Sequence, residues 1–375
     1  MKKNVVIIGA GAIGRGFLPW KIDIDRYNLI FVDIDQEIID IMNKNKRYST
    51  FVIKNNKLEA KTVEIDKAFN PAEFSMALPE HIDLVFMAVR PNNVKDASNC
   101  LKGVSCPVIL CENDPKTVDI VKEHLNHGRV YFAIPDVITS NTASSESLRL
   151  DRLAIHTEDG VLFIDERAGF IGGDITFLPE KELIDKQWTA KLFLHNTPHC
   201  VTSYLGALFG LSYIDEVMKH EKLKEIVAGS MNEMLAVLKD RMPEESEFLD
   251  WYANKEILRF ADDLLHDPIS RVARDPYRKL EIDGRLIGAA MMCFNAHHRF
   301  DNIMVGIVCA AICASYDTLN LADLKFDFEA LKNNILSVFE VIRLKNTVIY
   351  DPIIEKLDAA LYKIQEIIEN NEKQI

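Results

Sequence analysis

The stretch Val5-Val-Ile-Ile-Gly9-Ala-Gly11-Ala-Ile13-Gly14-Arg15-Gly-Phe17 decides the fold of this chain. Four consecutive β-branched residues lead into it, the pattern of a strand buried on both faces in a parallel sheet. The glycines that follow have the spacing G-x-G-x-x-G, and each answers a different demand. Gly9 permits a tight turn, Gly11 lets the backbone approach a diphosphate, and Gly14 lets the next helix pack closely on the strand. Ile13 belongs to the same loop. A diphosphate at that helix start would meet free N–H groups and the positive end of the helix dipole. Three glycines alone are weak evidence, and their context strengthens them. A second apolar run, Leu29-Ile-Phe-Val-Asp33, ends in an acid nineteen residues after Gly14. A dinucleotide fold places there the carboxylate that bonds the adenosine ribose hydroxyls. Such a carboxylate repels a 2′-phosphate, so the expected cofactor is NAD rather than NADP. Arg15 could assist a phosphate and Lys21 could tolerate NADP, but Asp33 outweighs both.

Outward from this loop, strand-like runs at 4–8, 28–33, 60–65, 83–89, 107–111 and 129–134 alternate with helix-like segments, the pattern of a doubly wound parallel sheet. Residues 139–185 change character. A Ser/Thr-rich stretch from Thr139 is followed by short strands near 152–157 and 161–164, then by Gly169, Gly172 and Gly173. They read as extra strands and loops on the sheet's edge. From 187 onward helical periodicity dominates, at 187–209, 217–241, 246–265, 284–295, 300–316, 326–343 and 351–371. The expectation is an α/β chain, with a Rossmann-type doubly wound parallel sheet over 1–186 followed by an all-helical domain over 187–375. Substrate would bind between the two, outside the carboxyl ends of the strands.

A length of 375 residues suits two domains. The net charge of −13 argues against a general binder of nucleic acid or anionic membrane. Seven scattered cysteines, with no pair at zinc-binding spacing, read as reduced thiols of a cytoplasmic protein. The first strand begins almost at once, which reads as no signal peptide, and the apolar stretch 303–316 is too short for a membrane span. The expected partner is a small molecule, with no nucleic acid and no membrane, and the expected state is a monomer or small homo-oligomer. No metal site is expected.

Lys191, Asn196 and His199 stand within nine residues, in Lys191-Leu-Phe-Leu-His195-Asn196-Thr-Pro198-His199. On a helix advancing about 100° per residue, His199 lies about 80° around the axis from Lys191 and Asn196 about 140°. All three can border one side of a cleft. Lys191 can act as general base for alcohol oxidation once burial lowers its pKa, and as the acid in the reverse reaction. Asn196 can donate N–H to an oxygen that gains negative charge, and His199 can orient Lys191 or bind a hydroxyl. Singly, each also reads as ordinary: a solvated lysine, a polar amide and a core histidine. His195 is a weaker candidate. Pro198 removes a backbone hydrogen bond and kinks an uninterrupted helix.

Two other fragments carry chemistry. Cys111-Glu112-Asn113-Asp-Pro115 ends a buried strand where nucleotide folds build their sites, so Asn113 is either a second oxygen donor or a turn former. Arg90, after the strand at 83–89, sits at the same edge and could touch cofactor phosphates. Arg271, Arg274, Arg278, Lys279 and Arg285 put five cations into fifteen residues of an acidic chain. Arginine forks suit phosphate or carboxylate oxygens. A salt-bridged surface is the alternative, because Asp275, Glu281 and Asp283 are interspersed.

Together these motifs resemble the polyol-specific long-chain dehydrogenase/reductase (mannitol dehydrogenase) family nearly end to end, and its members acting on hexitol phosphates most closely. The resemblance is carried by Gly9-Ala-Gly11-Ala-Ile-Gly14-Arg-Gly-Phe17, Cys111-Glu-Asn113, Lys191-x4-Asn196-x2-His199 with Tyr204-Leu-Gly206, and Arg271-Val-x-Arg274-x-Pro276-x-Arg278-Lys279-Leu280 with Arg285. It implies metal-independent hydride transfer with NAD, with Lys191 as acid/base. Asn196 and Asn113 would hold the reacting oxygen, His199 would bind and orient, and Arg271, Arg274, Arg278 and Lys279 would bind an anionic group. The implied substrate is a polyol or sugar phosphate, mannitol 1-phosphate with fructose 6-phosphate first. An unphosphorylated polyol or a sugar acid of the fructuronate or tagaturonate type comes second, and a non-catalytic dinucleotide sensor third. The chain departs from the family pattern at Ile134-Pro-Asp136-Val137, which keeps an acid and loses an arginine, at Leu162-Phe-Ile-Asp165, and at Pro198.

Overall fold

The computed structural model describes residues 2–54, 57–139, 143–169, 171–316 and 326–372. Of the Ser/Thr-rich stretch expected as a loop, 140–142 lie outside the described residues. The chain divides into two compact units, Met1–Trp188 and Thr189–Ile375.

The strands of the first unit are β1 (Lys3–Ile8), β2 (Tyr27–Val32), β3 (Arg47–Lys54), β4 (Lys57–Glu64), β5 (Lys67–Phe69), β6 (Leu84–Met87), β7 (Val108–Leu110), β8 (Val130–Asp136), β9 (Ile155–Glu158), β10 (Val161–Asp165) and β11 (Thr176–Leu178). Eight of them form one sheet in the order β11-β10-β8-β7-β6-β1-β2-β5. Its neighbours run parallel except β10 against β8. The order reverses between β1 and β6, so the chain leaves β1 into the glycine loop at the topological switch point. The apolar run explains the position: Val5 to Ile8 are buried, as are all four residues of β6 and all three of β7.

One expected strand belongs elsewhere. The run at 60–65 lies largely within β4, which pairs antiparallel with β3. β3 pairs in parallel with β9, making a separate three-stranded sheet. Tyr48, Thr50 and Val52 alternate inward along β3, the period-two signature of a half-buried strand. The short β5 takes the edge place beside β2 instead. Of the two strands expected after β8, β10 joins the main sheet's edge with β11 beyond it, whereas β9 belongs to the smaller sheet.

Gly9 has φ +96, and a Cβ there would stand 2.3 Å from the Ala88 carbonyl oxygen. A Cβ on Gly14 would stand 1.9 Å from the Gly9 carbonyl oxygen. Backbone cannot step aside as a flexible side chain does. Gly14→Ala should therefore destabilise the protein by about 3 kcal/mol or more in denaturant unfolding. Gly11→Ala, which meets no heavy atom within 4 Å, should leave stability unchanged within about 0.5 kcal/mol. Equal stabilities for the two variants would refute this account of the loop.

The second unit is helical, and its described residues contain no strand. A central helix, Asp301–Tyr316, is buried from Ile303 to Ala314. The helices Thr197–Leu208, Glu221–Arg241, Phe328–Val341 and Tyr350–Glu372 pack around it. Gly306 permits close approach to the first of these, since a Cβ there would meet Val201 Cγ2 at 2.6 Å. Among the described residues, no helix is long and apolar enough to cross a membrane.

Candidate active site

In the first unit the loop after β1 differs from the expected α-helix start. Ala12–Phe17 forms an i→i+5 turn, and α-helical geometry begins only at Leu18. Such π-type turns occur often at functional sites. The space over Gly11 is open, as close approach of a diphosphate requires. Asp33 stands at the end of β2, where its Oδ2 accepts the Ala10 N–H (2.5 Å) and its Oδ1 the Asp35 N–H (2.9 Å). The acid thus ties the glycine loop to β2 and keeps further lone pairs for a ribose hydroxyl. Lys21 plays no such part. Its buried ammonium is held by Asp159 (3.0 Å) and Asp174 (2.8 Å), which leaves Asp33 without a competing cation from that side chain.

Asn113 follows β7 and is exposed. Its neighbour Glu112 is buried, and Oε1 accepts the N–H groups of Val89 (2.6 Å) and Arg90 (3.1 Å). Burial pushes the Glu112 carboxyl up to about 8, against the pull of those two donors. Arg90 is exposed and holds φ +80, a region that favours glycine. Glu112 therefore braces a strained connection at the carboxyl edge of the sheet, a role invisible in its sequence neighbourhood. Of the departures from the family pattern, Asp165 is structural: it accepts the Arg167 N–H (2.9 Å) and pairs with the Arg167 guanidinium.

In the second unit the segment carrying Lys191 is not the α-helix assumed from its spacing. Lys191–Asn196 is an i→i+5 turn, and Thr197 N–H donates to Leu192 O. α-Helical bonding resumes at Thr197 directly from this turn, and Pro198 stands at the junction, inside one continuous helical run. Because the turn closes over five residues rather than four, Asn196 comes round toward the side of Lys191. The expected offset of about 140° is thereby corrected. Thr197 Oγ1 donates to Leu192 O (3.3 Å) and Arg285 O (2.7 Å), fastening this turn to the arginine-rich segment.

Lys191, Asn196 and His199 are each no more than 5% exposed. Asn196 Nδ2 is buried without a hydrogen-bond partner. An amide left so costs roughly 1–3 kcal/mol, which a ligand oxygen would recover. His199 Nε2 lies 2.9 Å from Asp267 Oδ2, although neither atom is in hydrogen-bond alignment. Its ring stacks on Phe260 at 5.1 Å. Burial lowers the His199 pKa below 6.5, and Asp267 offsets this only in part, so the imidazole is neutral at neutral pH. Burial raises the Asp267 pKa, but Arg271 and His199 together outweigh it and leave the pKa at about 2. His195 has its own carboxylate: Nδ1 lies 2.5 Å from Glu256 Oε2.

The five cations separate into two groups. Arg271 is paired with Asp267 through Nε (2.9 Å) and Nη2 (2.6 Å). Arg274 is exposed and donates to Arg271 O. Arg278, Lys279 and Arg285 have no carboxylate within 4.0 Å among the described residues. Lys279 is buried, bonds Val272 O, and stands 5.3 Å from the centroid of the Tyr204 ring. The Tyr204 hydroxyl is buried and unpartnered, and Arg285 and Arg278 both bear on its charge. Arg285 Nη1 reaches Cys200 Sγ at 3.9 Å. Asp267 and Glu256 are not singled out by the sequence, although the i,i+4 pair Asp267/Arg271 is an available signal for the first, and Tyr204 enters there only as part of the family motif.

Residues 3–158 match the Mannitol dehydrogenase Rossmann domain, and residues 184–320 match the Mannitol dehydrogenase C-terminal domain. A mannitol-1-phosphate 5-dehydrogenase of Clostridium acetobutylicum is 30% identical over 326 residues, covering 80% of this chain and 84% of that protein. One from Caldanaerobacter subterraneus subsp. tengcongensis is 29% identical, covering 86% and 87%. Among solved structures, the Pseudomonas fluorescens mannitol 2-dehydrogenase, a ternary complex with NAD and D-mannitol, superposes with a TM-score of 0.75 at 13% identity, covering 98% of this chain and 95% of that chain. At that identity the likeness concerns the fold.

Proposed function

The chain belongs to the mannitol dehydrogenase family, and on that footing we propose that it is an NAD-dependent oxidoreductase interconverting a hexitol phosphate and a sugar phosphate, mannitol 1-phosphate and fructose 6-phosphate first. One observation carries the phosphorylated substrate: Arg278, Lys279 and Arg285 gather near the unpartnered Tyr204 hydroxyl with no carboxylate within 4.0 Å among the described residues. Unpaired cations in partly buried surroundings call for an anion. The names of the 30% and 29% identical relatives point the same way.

The first unit's open glycine loop and Asp33 fit a dinucleotide. When bound, that cofactor supplies the hydride acceptor. The chain's own residues do the rest. Lys191 Nζ takes the hydroxyl proton as the carbon gives up its hydride, and returns it in the reverse direction. The Asn196 amide donates to the oxygen as charge develops, with Asn113 as the second donor. Neutral His199, held beside Asp267, orients the hydroxyl. Arg271 is taken up by Asp267 and Arg274 is exposed, so phosphate recognition narrows to Arg278, Lys279 and Arg285.

The test is absorbance at the NADH band with NAD and a panel of phosphorylated and free polyols. Turnover should be far more efficient with mannitol 1-phosphate than with mannitol. Equal kcat/KM for the two would remove the phosphate assignment. Tight NADH binding with no turnover of any polyol would leave a sensor.

A further inference from the structure

We propose that Arg15 is an anion-binding residue, holding a phosphate group of the adenine nucleotide that occupies the Gly9–Gly14 loop. This rests on the dinucleotide reading above and extends it to a residue that the glycine motif does not include.

Arg15 is 6% exposed, yet its Nε has no hydrogen-bond partner. No carboxylate oxygen lies within 4.0 Å of its guanidinium among the described residues. That is an unusual state for a group that stays charged and offers five donors in a rigid fork. A structural arginine is ordinarily explained by its partner, and here each nearby carboxylate is turned elsewhere. Asp33, Asp35 and Asp151 all bear on its charge. Asp33 accepts the N–H groups of Ala10 and Asp35. Asp35 caps the following helix through Glu37 N–H (3.0 Å) and Ile38 N–H (3.3 Å). Asp151 accepts Ser49 N–H (2.6 Å) and Leu153 N–H (2.8 Å). Tyr48 is also committed, since its hydroxyl donates to the Arg15 carbonyl (2.8 Å).

The backbone, by contrast, is fixed at both ends. Arg15 N–H donates to Gly11 O (2.9 Å), and Tyr48 holds the carbonyl. A guanidinium whose root is anchored and whose donors are vacant is prepared for a ligand that brings its own negative charge. Within the Gly9–Gly14 loop that ligand is a phosphate. Two sources share this chemistry: the diphosphate that both dinucleotides carry, and the 2′-phosphate of the phosphorylated one. Asp33 and Asp35 nearby repel the second and favour the first, and the titration separates the two.

The experiment is calorimetric titration of the full chain with adenosine, 5′-ADP and 2′,5′-ADP, for the parent, Arg15→Gln and Arg15→Lys, with no turnover involved. Arg15→Gln should weaken 5′-ADP about tenfold or more and move adenosine less than twofold, with Arg15→Lys recovering part of the loss. A larger loss for 2′,5′-ADP than for 5′-ADP places the contact at the ribose phosphate; equal losses place it at the 5′ side. Unchanged binding of both diphosphates, or a parallel loss of adenosine, would overturn the proposal and leave the dinucleotide reading standing. A parent chain that binds none of the three would overturn both.

Discussion

Lys191→Met should lower kcat about a thousandfold with mannitol 1-phosphate and NAD, while KM and NADH binding change less than threefold. Methionine keeps the length and apolar stem of lysine, so a side chain only 5% exposed is replaced without opening a cavity. What disappears is the proposed proton-transfer group, while His195, the other titratable side chain of this turn, is left in place. Positioned acid/base catalysis is worth roughly 10²–10⁴ in rate, which sets the expected size. The loss should appear equally in kcat and kcat/KM, the signature of an interaction made in the transition state. Asn196→Ala should behave the same way more mildly, because Nδ2 is buried and waits for an oxygen. Stopped-flow measurement of NADH formation, with NADH fluorescence titration as the binding control, decides the matter. A Lys191→Met enzyme retaining a tenth of the parent kcat would move proton transfer elsewhere, and His195 with Glu256 would be the first place to look.

What the sequence discloses here is what a local pattern can encode. The run Val5 to Ile8, the glycine spacing and Asp33 lie within thirty residues, and each demand is met inside that span. The helical second unit is equally legible, because its period repeats along several long helices with buried faces. The hairpin of β3 and β4 is not, because Arg47–Lys54 mixes charge, aromatic and β-branched residues whose partner is chosen by tertiary pairing. The turn at Lys191–Asn196 shows a different limit. Lysine, amide and histidine are visible in the sequence, but the phase between them is set by the i→i+5 bonding of Lys191–Asn196, which their spacing alone does not show. The arginine cluster shows a third limit, since composition leaves anion binding and salt bridging both open. Arg271 resembles its neighbours in composition, and the fold singles it out by seating its guanidinium on Asp267, four residues earlier. Glu256, sixty-one residues from His195, has no sequence signal at all.

Lys279→Met should raise KM for mannitol 1-phosphate about a hundredfold and leave the unphosphorylated polyol nearly unaffected. The ammonium is buried beside the Tyr204 ring, and burial lowers its pKa to about 8, with Arg285 and Arg278 adding to the effect. A phosphate monoester carries its second charge above about pH 6. Between these limits the lysine is charged and the ester is a dianion, so phosphate recognition should be best from about pH 6 to 8 and decline as Lys279 deprotonates. In the variant the alkaline decline should vanish, leaving the guanidinium contacts of Arg278 and Arg285, which do not titrate in this range. Stability runs the opposite way. The folded pKa is depressed below 10.5, so the unfolded chain binds more protons between about pH 8 and 10.5. The unliganded parent should therefore gain stability as pH rises through that window, and Lys279→Met should lack the gain. A KM that rises for both substrates, or an alkaline decline that survives the substitution, would place the phosphate away from Lys279.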